Sequence, residues 1–177
     1  MPKPTIATAE YMQKQLRETR HIGNEFERLR EIHARVQHHL LRTFAPNVET
    51  KTIRKIARHA QAVEEFNNRV QRMEATVQEA SDIQRKHRAL ITAVQPHLST
   101  EDGKTLKDHR KVMEYVQRQL PAADESSQWV LMTIMAQVSA ETLNTTIRGI
   151  VAEENQKKIR DEIMHAVRYL AAYRTRN

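Results

Sequence analysis

From Thr50 to Val94 the chain runs without a proline or a glycine. Within that stretch Val63, Phe66, Val70, Met73, Val77 and Ala80 follow one another at alternating steps of three and four, and the register continues through Gln84, His87, Ile91 and Val94. Such spacing lays side chains along one stripe of an α-helix. A single helix over these residues would be about 65 Å long. Helices gain most of their stability from packing an amphipathic face, so one of this length requires partners of similar length. The pattern therefore predicts a rod-like helical assembly organised around residues 50–94.

The flanking sequence offers such partners. Met12, Leu16, Thr19, Ile22, Phe26, Leu29, His33, Val36 and Leu40 keep the same spacing. They predict a helix over about 8–43, capped at Thr8 and weakest at Gly23. Phe44-Ala45-Pro46-Asn47 ends it, because the residue before a proline avoids the helical region. Pro96 ends the central helix, and Ser99-Thr100-Glu101-Asp102 starts a third over about 100–120, with a hydroxyl at the cap and carboxylates in the first turn. After Pro121, Asp124 or Ser126 caps a last helix over about 125–173. That helix is either continuous or broken near 145–149, where Asn144, Thr145, Thr146 and Gly149 are poor helix formers. Pro2 and Pro4 make residues 1–6 an expected disordered tail. The expected architecture is one all-α domain over 1–177, an elongated, mostly antiparallel four-helix bundle with coiled-coil-like packing.

Aromatic residues make up 5% of the chain, which suits aliphatic seams between helices better than a large aromatic core. The absence of cysteine removes disulfides, thiolate catalysis and sulfur-ligated zinc. No run approaches the ~18 apolar residues of a membrane span, and the N-terminal residues lack the apolar stretch of a signal peptide. A soluble, cytoplasmic protein with no membrane span is the expectation.

Catalytic signatures are missing. Three scattered glycines cannot build a phosphate-cradling loop or a strained nucleophile turn. Glu162 and His165 have the Glu-x-x-His spacing of di-iron bundles, but that chemistry needs a second such pair, and the sequence has none. His21 with Glu25, and the doublet His38-His39, likewise read as solvated helix faces. No catalytic, cofactor-binding or metal site is expected.

Three features point instead to binding and regulation. Residues 51–100 hold nine basic and five acidic side chains, so over half of the net charge of +7 gathers on the central stretch. Lys51, Arg54, Lys55 and Arg58 fall within two turns, and Arg85, Lys86 and Arg88 form a second knot. Cations at helical spacing can neutralise several backbone phosphates of a nucleic acid, although charge runs more often form a solvated flank. The block from Trp129 to Met135 is apolar almost all round, wider than a two-helix seam uses. Trp129, Leu131, Met132 and Met135 are thus candidates for a partner interface, if several helices of the same chain do not wrap them. Finally, His33, His87 and His109 fall on seam positions of three helices. In a shared core they would stay neutral at pH 7 and make the bundle pH-sensitive; at helix ends they would be ordinary wet rings.

The function expected from these features is non-enzymatic: a structural or adaptor component of a larger assembly that binds protein partners along its helical faces and self-associates. The alternative is a nucleic-acid-binding accessory protein that uses the two basic clusters.

Overall fold

The computed structural model describes residues 9–159, 161 and 162. The expected tail, the cap at Thr8 and the end of the last expected helix lie outside them. The described residues are helical and contain no strand, and they form seven helices where four were expected. These are α1 (Ala9–Glu18), α2 (Glu25–Phe44), α3 (Thr50–Gln71), α4 (Val77–Val94), α5 (Thr100–Gln119), α6 (Glu125–Ile150) and α7, described over 153–159 and 161–162. The contacts gather into two compact units, one of residues 1–53 with 151–177 and the other of residues 54–150.

In the first unit the helix expected over 8–43 is two helices. Thr19 closes α1 by donating from its hydroxyl to the Gln15 carbonyl at 2.7 Å. Asn24 then opens α2 as an extended N-cap whose side chain accepts from the Glu27 amide at 3.1 Å. Arg28 reaches back to the Thr19 hydroxyl at 3.1 Å and to the Leu16 carbonyl, one of the acceptors at the helix end. Tyr11 stacks on His39 with ring centres 5.0 Å apart, and Arg35 lies 3.3 Å from Gln15, so the two helices run in opposite directions. Met12 and Leu16 pack there against Ile32, Val36 and Leu40.

The central stretch is also divided, and the reason is local. Met73 has a φ of 57°, the left-handed conformation usually reserved for glycine. Around it the Glu74 amide donates to the Arg69 carbonyl at 2.8 Å, and the Met73 amide donates to the Val70 carbonyl at 3.0 Å. This pair of bonds is a Schellman ending of α3. Thr76 then caps α4, accepting from the Glu79 amide at 3.1 Å. The Arg69 guanidinium binds the turn together, at 2.8 Å from the Glu79 carboxylate and 2.9 Å from the Glu74 carbonyl. Met73, expected in the seam, is 62% exposed, because the reversal of the chain takes it out of register.

Cross-helix pairs fix the directions inside the second unit. Ser81 pairs with Gln117 and Arg88 with Glu114, so α4 and α5 are antiparallel. Asp102 pairs with Arg148 and His109 with Thr142, which makes α5 and α6 antiparallel as well. All four helices contribute to one core: Phe66 and Val70 from α3, Ala80 and Ile83 from α4, Met113 and Val116 from α5, and Met132, Met135 and Ala136 from α6. Ser99 and Asp124 cap α5 and α6, accepting from the Asp102 and Ser127 amides at 3.1 and 2.7 Å.

Helix α6 passes through 145–149 without a break and ends at Ile150. Thr142 and Thr146 donate to the carbonyls one turn earlier, at 2.9 and 2.8 Å, instead of competing with the helix. Gly149 sits where a Cβ would fall 2.3 Å from Leu98, so its lack of a side chain serves a close approach rather than a kink.

Candidate functional site

Two histidines of the second unit converge on one hydroxyl, and a third ring lies beside them. His87 Nε2 lies 2.8 Å from Thr142 Oγ1, and His109 Nδ1 lies 3.0 Å from the same atom. The Thr142 hydroxyl already donates to the Val138 carbonyl at 2.9 Å. With its proton spent there, the oxygen can only accept, so both rings must donate to it. His87 is then the Nε2–H tautomer, and its buried Nδ1 lone pair has no partner among the described residues. The third ring, His59 of α3, lies with its centre 6.1 Å from that of His87, tilted by 54°. It is 3% exposed, and neither of its nitrogens has a hydrogen-bond partner among the described residues.

This environment opposes positive charge. Burial holds His59 down to about 3, helped by repulsion from His87 and Lys86. Burial likewise lowers His87 to about 4, with His109 adding to the shift and Glu114 opposing it. His109 is lowered by its partial burial against the pull of Glu141 and Asp108. The rings are therefore neutral near pH 7.

Of the three histidines picked out by spacing, the structure brings His87 and His109 together, while His33 belongs to the first unit. His59 takes the third place. Stepping back four residues from Val63 along the seam lands on it, so the register carried the signal; the basic residues around it pointed to a solvated flank instead. The described residues contain no group of three or more histidine, aspartate or glutamate side chains placed to hold a metal ion. Of the other candidate pairs, His21 and Glu25 are both exposed, His39 stacks on Tyr11, and His165 lies outside the described residues.

The basic residues divide into two kinds. Arg85 is bound to Asp82 at 2.7 Å and Arg88 to Glu114 at 3.0 Å, so their charges are already met. Arg54, Lys55 and Arg58 are exposed on α3, and no described carboxylate pairs with them. Lys51, one turn earlier on the same helix and assigned to the first unit, is exposed too, as is Lys86 on α4.

The apolar block is mostly internal. Met132 and Met135 are buried in the core of their own unit, and Trp129 and Leu131 pack partly buried against it. Burial takes Met132 and Met135 out of the expected interface, because four helices wrap them, whereas Trp129 and Leu131 are only half-buried. What remains outside is Val130, 60% exposed, beside Tyr115, 56% exposed, along a groove of about 510 Å³ that Ala122 and Leu131 also line.

No protein-family model matches the chain, and neither a curated protein nor a solved structure does. No helix among the described residues is long and apolar enough to cross a membrane.

Proposed function

We propose that the protein is a non-enzymatic binding component of a larger assembly, and that the cationic face of α3 is the surface with which it engages a polyanion, nucleic acid in the first instance. The observation that carries this reading is the contrast between the two basic clusters. Arg85 and Arg88 have carboxylates, whereas Arg54, Lys55 and Arg58 present their charge to solvent on successive turns of one helix. Phosphates can occupy such a row without displacing an internal partner, and the release of counterions supplies the affinity. The scaffold behind the face is read as an antiparallel four-helix bundle of α3–α6 with coiled-coil-like seams, supported by the opposed directions of α4, α5 and α6.

Arg54, Lys55 and Arg58 changed together to Gln should weaken binding to a duplex or single-stranded oligonucleotide. The plot of log affinity against log salt should flatten by up to about 3 units, one for each lost phosphate contact. If the parent protein shows no binding at low salt, the reading is wrong.

A second reading is favoured by Tyr115 and Val130. Two large side chains, each more than half exposed beside one groove, suit contact with a protein partner or a second copy of the chain. Self-association would then weaken on changing Tyr115 and Val130 to Ser, as measured by light scattering, with the α3 cations left intact.

A further inference from the structure

His59 is the ring that the hydrogen bonding around Thr142 leaves out. A neutral imidazole buried without partners forgoes solvation of one N–H and one lone pair, a cost the packing around it can carry. A charged imidazole in the same place would forgo far more. We propose that the His59, His87 and His109 cluster is an acid-released latch, in which protonation of the rings frees α3 from α4, α5 and α6 while those three helices stay together.

The groups facing the cluster explain why α3 is the helix that leaves. On α5, Glu114 carries negative charge toward His87 and Asp108 toward His109; on α6, Glu141 adds to the latter. Glu114 is already engaged by Arg88 of α4 at 3.0 Å and by Arg110 of α5 at 3.3 Å. Against His59 the resolved influences are burial, His87 and Lys86 of α4, and all act in the same direction. A proton on His59 therefore meets no compensating carboxylate in the closed form, and the direct remedy is to expose the ring. Helices α4, α5 and α6 keep their own ties through Ser81 to Gln117, Arg88 to Glu114 and His109 to Thr142. The polar tie of α3 to α4 at Arg69 and Glu79 lies three turns away, beside the reversal at Met73, where it can act as a pivot.

Above the ordinary histidine value of 6.5 the rings are neutral whether the helix is closed or open, and the latch has its full strength. As pH falls below that value the open form takes up protons that the closed form refuses, down to about 4 at His87 and about 3 at His59. Across that window opening becomes about tenfold more favourable per pH unit for each ring that takes up a proton. The latch stands whatever α3 binds.

Hydrogen exchange on the full chain tests it, with protection corrected for the intrinsic pH dependence of exchange. Amides of residues 54–71 should lose protection by about tenfold or more per pH unit below 6.5, while those of 100–150 keep theirs. His59→Leu should make that loss shallower by about tenfold per unit, the share of one ring. An unchanged slope in His59→Leu, or loss of protection by all four helices together, overturns the proposal. Should His59→Leu not fold, an NMR titration of the parent decides alone. A His59 ring that titrates at its ordinary value while α3 stays protected refutes the latch.

Discussion

A threonine oxygen has one proton to give and two lone pairs to offer, and at Thr142 all three are taken. The hydroxyl ties Val138, His87 and His109 to one atom, which fixes the tautomers of both rings. Thr142→Val keeps the shape and removes the oxygen, leaving two buried or half-buried N–H groups without an acceptor. The variant should be less stable by about 1–3 kcal/mol in urea unfolding, and a stability equal to that of the parent would mean that water replaces the hydroxyl. At this scale the sequence was partly readable. His87 and His109 stood on the seam, and His59 stood on its backward extension. Thr142 carried no such mark, because what distinguishes it from Thr133 or Thr145 is which rings other helices bring to it. Met132 and Met135 show the opposite failure: their apolar character was plain, but side-chain chemistry alone does not say whether a wide apolar face is covered from within.

Among the elements, the turn between α3 and α4 shows how an unbroken seam can conceal a chain reversal. Met73 and Val77 keep the three-four spacing across it, and no glycine marks the left-handed position. The cue that was present is a capping box, Thr76 followed three residues later by Glu79, and Asn24 with Glu27 marks the start of α2 in the same way. Helix starts were thus written in the sequence even where apolar periodicity ran past them. At Asn144 to Gly149 the reverse happened, since hydroxyl bonds to the preceding turn and close packing on Leu98 kept α6 whole. Met73→Gly should relieve the left-handed strain and stabilise the protein by about 1 kcal/mol, read as a higher urea midpoint with an unchanged slope. A lower midpoint would show that Met73 is not held in that conformation.

For the molecule as a whole, composition conveyed the helical class, and division into two units stayed hidden because contacts between distant segments leave no periodic trace. Salt should separate folding from binding here. The ion pairs of Arg69, Arg85, Arg88 and Arg148 all involve partly exposed side chains, which water and ions screen readily. Raising salt from low to high should therefore leave the unfolding midpoint nearly unchanged while abolishing the attachment to a polyanion proposed for α3. A midpoint that falls as steeply as the affinity would show that the cations of α3 serve the fold instead.

The Arg69 clasp bears on how the chain acquires its structure. It joins residues only ten apart, and His59 to His87, Ser81 to Gln117 and His109 to Thr142 then link each helix to the next along the chain. Contacts so close in sequence cost little loop-closure entropy, which places this unit toward the rapid end of folding rates. The reversal at Met73 is the shortest of these closures and is held by an ion pair and three backbone acceptors. Weakening it should slow folding more than it hastens unfolding, read from the two arms of a denaturant-dependence plot of the folding and unfolding rates.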